Sequence, residues 1–353
     1  MDLDRLPALG DLGWKNALTQ AAMGFADELV PTRVIEVHRS GLIVAPDVEG
    51  QTEFVLGGRW YSLPADERPT VGDWIMIQPE TQSIEALLER VSLIKRRSPS
   101  GEVQPIAANI DTAFIVTSCN ADFSLARLER YLAVVRQEDI QPVIVLTKAD
   151  LTAEAEIYRE QTQSLGNDLV VELVNALAED DVSRLAGWCG PGQSIALLGS
   201  SGAGKSTIVN TLAGRALQDT QASREGDNKG RHTTTRRSLF QLPSGGVILD
   251  SPGMREFQIT DADSGVQAVF EDIEELALGC KFGDCAHATE PGCAVRAAIE
   301  SGELEERRLE SYFKLLREDR HNTETIAERH ARAREFGKMV KSHVLTKPKL
   351  QRQ

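Results

Sequence analysis

Residues Gly199 to Ser206 read GSSGAGKS, which fits G-x-x-x-x-G-K-[ST] and constrains the fold more than any other stretch of the chain. The apolar run SIALL precedes it and TIVNTLAG follows. Such a loop works only between a strand and a helix, because its backbone N–H groups must converge on a phosphate at a helix N-terminus. A glycine-rich turn that binds nothing is the bland alternative, and the flanking strand and helix weigh against it. Lys205 is expected to reach the β- and γ-phosphate oxygens and Ser206 to ligate Mg2+. Gly199, Ser200, Ser201, Gly202, Ala203, Gly204 and Thr207 complete the nucleotide contact set.

Around this loop the pattern alternates. DTAFIVTS, QPVIVLT, NDLVVELV and QSIALLG read as buried-type strands, separated by helix-spaced LARLERYLAVVRQE, EAEIYREQTQSL and VSRLAGWC. SLFQL and GVILD add two more strands. Alternation of this kind predicts a parallel sheet with helices on both faces. Upstream, TRVIEVHRSGLIVAP, TEFVLGGRW and VGDWIMIQP are short strands broken by turn residues, which predicts a small all-β barrel with the five-stranded OB-fold as leading candidate. Beyond Ile259 the chain turns acidic and helical over VQAVFEDIEELALG, passes a Cys/His cluster and resumes as one helix over CAVRAAIESGELEERRLESYFKLLRE. The expected class is multi-domain α/β: barrel over 1–100, nucleotide domain over 101–262, helical domain with a basic tail over 263–353.

One element stands in an unusual place. TKAD at 147–150 ends the strand PVIVL, and an Asp there can accept from both guanine N1–H and the exocyclic amine, a pair adenine lacks. Lys148 can lay its stem along the base. Thr147 stands where Asn is usual, with less reach. In ordinary GTP-binding domains this element follows the phosphate loop, and here it comes about fifty residues earlier. If the usual run of strands is joined end to end and reopened after the DxxG strand, the order found from Asp111 to Gly253 results. A second base-contacting loop then belongs after the NDLVVELV strand. It reads Asn175-Ala176, where Ser-Ala is usual.

DSPG at 250–253 follows an apolar strand, so Asp250 is expected to hold magnesium and the Gly253 N–H to meet the γ-phosphate. Between the two phosphate motifs lies GRHTTTRRS. One hydroxyl there should ligate magnesium; spacing does not choose among Thr233, Thr234 and Thr235, and position beside Arg236 favours Thr234 or Thr235. The water-orienting Gln of many GTPases is replaced by Met254, which cannot hydrogen-bond water. His232 is the nearest alternative.

Cys280-x4-Cys285-x-His287-x5-Cys293 supplies three thiolates and one imidazole, the ligand set of a closed structural Zn2+ site. An iron–sulfur cluster suits the histidine less well, and chance crowding of buried cysteines is the bland reading. Cys119 and Cys189 stand apart, so no disulfide framework is expected. The formal net charge is −14, which alone argues against a nucleic-acid partner. From Arg329 onward, however, eight Lys or Arg face one Glu, a net of +7, which leaves −21 on the rest. The longest aliphatic runs are too short to span a bilayer and the start lacks a secretory layout, so a cytoplasmic protein without a membrane partner is expected, monomeric by default.

Together VGDW, NIDTAFIV, RLERYL, GSSGAGKST, GRHTTT, DSPGMREF and CKFGDCAHATEPGCAV resemble the circularly permuted, ribosome small-subunit-dependent GTPases of bacteria, the RsgA or YjeQ family, over nearly the whole chain. The resemblance implies an N-terminal OB-fold, a permuted GTPase and a C-terminal zinc domain. It further implies GTP hydrolysis to GDP, stimulated by the small ribosomal subunit, in late maturation of that subunit through rRNA binding. It assigns the catalytic histidine role to His232 through GRHTTT. An ATP-dependent enzyme would have to accept adenine despite Asp150, and a scaffold holding nucleotide only structurally would release no phosphate.

Overall fold

The structure is a computed structural model that describes residues 6–38, 41–45, 50–97, 102–217, 238–250 and 262–323. After two short helices, Leu6–Asp11 and Asn16–Ala22, come five antiparallel strands: β1 (Val30–Val37), β2 (Gly41–Ala45), β3 (Thr52–Val55), β4 (Trp74–Gln78) and β5 (Ser83–Leu87). They pair in the order β3-β2-β1-β4-β5, with a short helix, Gly58–Tyr61, between β3 and β4. Val34, Leu42, Val44, Phe54, Trp60, Ile75 and Ile84 fill a core of their own inside this unit. A bulge between Val34 and Glu36 bends β1 and lets a short sheet curl.

A separate hairpin of β6 (Leu93–Arg97) and β7 (Val103–Ala108) follows, which the sequence pattern did not separate from its neighbours. The boundary expected at 100/101 falls between its two strands.

The central sheet holds β8 (Thr112–Ser118), β9 (Gln141–Thr147), β10 (Val170–Val174), β11 (Ser194–Leu198), β12 (Ser238–Gln241) and β13 (Val247–Asp250). Their spatial order is β10-β9-β8-β11-β13-β12, parallel throughout except for β12. Strand residues alternate between two cores, as period-2 geometry requires. Phe114, Val116, Val143, Val145, Ile195 and Leu197 enter one core, while Ala113, Ile115, Ile144, Leu146, Ala196 and Leu198 enter the other. Helices Leu125–Gln137, Ala155–Gln163 and Lys205–Ala213 fall where the apolar spacing predicts them. Counted from β11 as first, the strands lie in the order 2-3-1-4-5-6, so the sheet is intact although the chain enters it at its fourth member. At its far edge β12 pairs with β1 through Glu36 and Ser238, joining the five-stranded unit to the central sheet.

The C-terminal unit is helical but more divided than the sequence suggests. VQAVFEDIEELALG forms two helices, Asp263–Val269 and Glu271–Ala277, separated at Phe270. The single long helix expected after Cys293 splits into Ala294–Ser301 and a helix over 306–323. Gly302 ends the first piece at φ +79°; its N–H meets Ile299 O and the Glu303 N–H meets Ala298 O, the Schellman pattern that only a residue free to adopt left-handed backbone closes cheaply. Helix Asp263–Val269 presses on helix Leu125–Gln137 so closely that a Cβ on Gly265 would lie 1.9 Å from Ala133 O. Among the described residues no helix is long and apolar enough to cross a membrane.

Arg33 of β1 ties these units together. It is fully buried, and its guanidinium donates to Leu12 O, to Ser194 Oγ at 2.9 Å, to Asn109 O at 3.2 Å and to Gly72 O at 3.3 Å. These acceptors come from the N-terminal helical segment, β11, the end of β7 and the turn before β4. Burial lowers its pKa to about 10, against the pull of Asp111 and Asp73, so it remains charged at neutral pH. Arg33→Met keeps the stem and strands all four acceptors. It is expected to cost about 3 kcal/mol or more, since each buried unpaired polar group costs on the order of 1–3 kcal/mol. Urea denaturation measures this, and an unchanged midpoint would contradict the role.

Candidate nucleotide site and metal centre

The phosphate loop leaves β11 at Leu198, and helix Lys205–Ala213 begins as soon as it ends. Gly199 sits at φ +143°, and a Cβ there would lie 2.1 Å from Val116 O on β8, so glycine alone allows the strand end to lie this close. Gly202 and Gly204 also have positive φ. Lys205 is buried, and its Nζ donates to Gly199 O at 2.8 Å and Ser200 O at 2.7 Å. The ammonium is therefore folded back over the loop that precedes it. Ser201 is exposed, Ala203 is buried, and Ser206 and Thr207 are half-buried on the first turn of the helix.

The TKAD segment lies beside this loop. Thr147, last residue of β9, is fully buried; its hydroxyl donates to Ala203 O at 2.6 Å, with Thr117 O at 3.3 Å. A Cβ on Gly204 would meet the Thr147 side chain at 3.4 Å, so a short branched residue fills the space. The sequence marked Thr147 as a weakened base contact. The structure makes it a clamp between the end of β9 and the loop over 199–204. Lys148 adopts left-handed backbone at φ 58° and opens a single 3-10 turn, Ala149–Leu151, which leaves the Asp150 carboxylate exposed at the carboxyl end of β9. Ligands in open α/β sheets bind at strand ends of this kind.

The second loop is built the same way. Asn175 Oδ1 accepts the Leu177 N–H at 3.0 Å, the Asn175 N–H donates to Asp181 Oδ2 at 2.9 Å, and Ala176 O accepts from Thr211 Oγ1 at 2.8 Å on the phosphate-loop helix. The asparagine amide thus shapes its own turn. Sequence reasoning missed Asp181 and Thr211, whose contributions are to backbone groups distant in the chain. Both base loops are hydrogen-bonded to the phosphate-loop unit, one through Ala203 and one through Thr211.

Asp250 ends β13 in register with Ser238. The side chain of Asp250, and the whole of His232, Thr234, Thr235 and Gly253, lie outside the described residues, as does the basic run from Arg329. Their roles rest on the sequence motifs.

Cys280, Cys285, His287 and Cys293 come together, their ligand atoms all within 4.8 Å of one another. Cys280 Sγ lies 3.6 Å from His287 Nδ1, His287 Nδ1 lies 3.4 Å from Cys293 Sγ, and the sulfurs of Cys280 and Cys293 are 3.9 Å apart. Zinc with bonds of about 2.3 Å to sulfur and about 2.0 Å to nitrogen needs tetrahedral edges of about 3.8 Å and about 3.5 Å. The three edges among Cys280, His287 and Cys293 suit that ion, and Cys285 lies close enough to complete a four-ligand set. The Ala294 N–H points at Cys280 Sγ and the Arg296 N–H at Cys293 Sγ, at 3.3 and 3.4 Å. Glu290, which the sequence did not single out, accepts the N–H groups of Ala286, Ala288 and Thr289 at 2.9–3.0 Å and so fixes the loop that holds His287 at φ 55°. Cys119 and Cys189 are buried elsewhere, and burial pushes their thiols up to about 11 and about 12, which leaves them protonated and inert at neutral pH.

Comparison with known proteins agrees with this geometry. A family model described as RsgA GTPase matches residues 87–260. The chain is 48% identical over 346 residues to the small ribosomal subunit biogenesis GTPase RsgA 2 of Vibrio parahaemolyticus, covering 97% of this chain and 94% of that one. It is 47% identical over 321 residues to the small ribosomal subunit biogenesis GTPase RsgA of Mesorhizobium japonicum, covering 90% and 91%. Among solved structures, YjeQ from Thermotoga maritima matches with a TM-score of 0.59 at 24% identity, over 82% of this chain and 99% of that one, a likeness of fold alone. YloQ, described as a circularly permuted GTPase, matches with a TM-score of 0.56 at 25% identity, over 84% and 97%.

Thr147→Val keeps the shape of the side chain and removes the hydroxyl that meets Ala203 O. Affinity for a fluorescent guanine nucleotide is expected to fall about tenfold, the size of one lost buried hydrogen bond, and Thr147→Ser to restore it. Equal affinity in the valine variant would end the clamp role.

Proposed function

The chain belongs to the RsgA GTPase family and is a GTP-hydrolysing enzyme; from that premise we propose that it acts in late maturation of the small ribosomal subunit, binds rRNA there, and is stimulated by that subunit. The observation that carries the reading is the strand order around β11. It sets a phosphate loop, TKAD and Asn175-Ala176 at neighbouring carboxyl ends of one sheet, and the chain enters that sheet as a permuted GTPase does. The names of the curated relatives support the subunit as the setting.

Within this reading Asp150 selects guanine by accepting from its two adjacent donors, and Lys148 lies along the base. Thr147, Asn175 and Ala176 hold the base loops on the phosphate loop. Lys205 moves from its two carbonyls to the β- and γ-oxygens. Ser206, Asp250 and a switch hydroxyl, Thr234 or Thr235, would hold Mg2+, which neutralises charge developing on the phosphates when bound. Gly253 senses the γ-phosphate. His232 orients the attacking water, a role open to it because Met254 has no group to do so. Cys280, Cys285, His287 and Cys293 hold one structural zinc. The five-stranded unit is an OB-type barrel, since its pairing order and the helix between β3 and β4 suit that fold. The three domains are 1–100, 101–262 and 263–353, and the protein works in the cytoplasm.

Phosphate release from GTP, measured with and without purified small subunits, tests the function. Release is expected to be slow alone and to rise with subunits, and His232→Ala is expected to abolish most of the rise while keeping nucleotide binding. Stimulated turnover of the variant equal to wild type would remove the histidine, and GTP binding without release in any condition would remove the enzyme reading. For the metal, Glu290→Ala should let zinc go about 10- to 100-fold more readily, as loss of an outer-shell partner does. A zinc-sensitive dye reads this, and an unchanged release rate would deny Glu290 its positioning role.

A further inference from the structure

The turn that follows β10 has nearly all of its backbone donors engaged. The Asn175 N–H donates to Asp181 Oδ2 at 2.9 Å, the Leu177 N–H to Asn175 Oδ1 at 3.0 Å and the Ala178 N–H to Asn175 O at 3.0 Å. Ala176 O accepts from Thr211 Oγ1 at 2.8 Å, the nearer of two carbonyls that share this hydroxyl, the other being Thr207 O at 3.0 Å. Among the described residues nothing accepts from the Ala176 N–H, although Ala176 is buried. A buried backbone donor is seldom left without a partner. From outside, packing gives the turn little support. Leu177 is 80% exposed, and a crevice of about 310 Å³ opens between it and Thr207, Asn210 and Arg215. Hydrogen bonds therefore hold the turn in shape.

We propose that Asp181 and Thr211 are positioning residues for guanine selection, which together hold the Ala176 N–H where it donates to the carbonyl oxygen at C6 of the base; the proposal rests on the reading of Asn175-Ala176 as the second base-contacting loop. The argument is one of rigid planes. The Ala176 N–H belongs to the peptide between Asn175 and Ala176, and peptides turn only as planar units. Asp181 pins the plane before it through the Asn175 N–H, and Thr211 pins the plane after it through Ala176 O. With both neighbours fixed, the middle plane has one orientation. Asp150 reads only the N1 and N2 edge of the base. A fixed donor opposite C6 adds an independent criterion, because guanine carries an acceptor there and adenine an amine whose hydrogens would meet another donor. Asp181 reaches the loop from the short helix Glu179–Val182, its other oxygen meeting Arg184 Nη2 at 3.4 Å. Thr211 reaches it from helix Lys205–Ala213, so the contact at C6 is tied to the helix that carries the phosphate loop.

The test measures displacement of a fluorescent guanine nucleotide from the full chain by GDP, IDP and 6-thio-GDP. IDP lacks only the exocyclic amine that Asp150 takes. 6-thio-GDP keeps both donors for Asp150 and replaces the oxygen at C6 by sulfur, a weak acceptor. Wild-type protein is expected to prefer GDP over 6-thio-GDP by about tenfold, the size of one good hydrogen bond. Thr211→Val and Asp181→Ala are each expected to lower GDP affinity about five- to tenfold and 6-thio-GDP affinity less than about twofold. That preference then collapses, while the preference for GDP over IDP stays. Asp181→Asn keeps an acceptor for the Asn175 N–H and is expected to restore wild-type selection. Melting temperatures check the fold; should Thr211→Val melt early, Asp181→Ala, at a side chain 34% exposed, carries the test. An equal loss for all three nucleotides in a folded variant would make these two residues merely structural and overturn the proposal, as would unchanged GDP affinity. Wild-type protein that binds GDP and 6-thio-GDP alike would overturn the second base loop together with it.

Discussion

The close approach of Gly199 to β8 organises the nucleotide domain. With Val116 O only 2.1 Å from where a Cβ would sit, the end of β11 is held against β8 at the point where the phosphate loop begins. That approach fixes β11 between β8 and β13. TKAD and Asn175-Ala176 then fall on the β8 side, at the ends of β9 and β10, and the acid that ends β13 falls on the other. The direction in which the chain visits these strands does not enter the geometry. A sheet needs its neighbours and its strand polarity, and both survive when the connection is moved.

Moving the connection changes what the two ends of the domain can touch. β12, an edge strand in the central sheet, is covered by β1 of the five-stranded unit through a single register pair, so its unpaired edge is shortened. On the opposite side the C-terminal helices share one continuous core with the sheet. Glu129 is fully buried there, and its carboxylate accepts from Arg307 at 3.1 Å, from Arg308 at 3.4 Å and from Ser311. Arg308 also donates to Asp272 and to Val269 O. A buried carboxylate is tolerated only with partners of this quality, so the helical unit is built onto the GTPase and does not hang from it.

The sequence revealed those parts of the fold that depend on neighbours along the chain. Period-2 runs split between two faces, the phosphate loop flanked by strand and helix, and four metal ligands within one short segment are local patterns, and each appears where expected. Thr147 shows the limit. Its residue type suggested a shortened base contact, but its partner, Ala203 O, lies 56 positions away, and only the fold reveals the clamp. Arg33, Glu129 and Glu290 escaped for the same reason: each is an ordinary charged residue whose role is set by backbone and side-chain groups that its own residue type does not announce. The break at Gly302 was missed differently, because helical spacing runs on across it and the glycine alone carries the signal.

These packing differences set the costs of any relative movement. Separating the C-terminal helices from helix Leu125–Gln137 would strip a fully buried carboxylate of both guanidinium partners and open the packing at Gly265, a change that breaking buried pairs elsewhere puts at about 3–5 kcal/mol before any apolar area is counted. Parting β1 from β12 would give up one register pair, while Arg33 keeps the other end of β1 bonded to Ser194 and Asn109. A ligand can shift an arrangement only by its difference in affinity for the two states. The seam between the five-stranded unit and the sheet is held in addition by Arg33 and by Ile35, Trp74 and Met76, which share one core with the sheet and the C-terminal helices, so neither seam parts without exposing buried groups. β12, which carries one side of the seam with the five-stranded unit, follows in sequence directly on the segment that contains His232, Thr234 and Thr235.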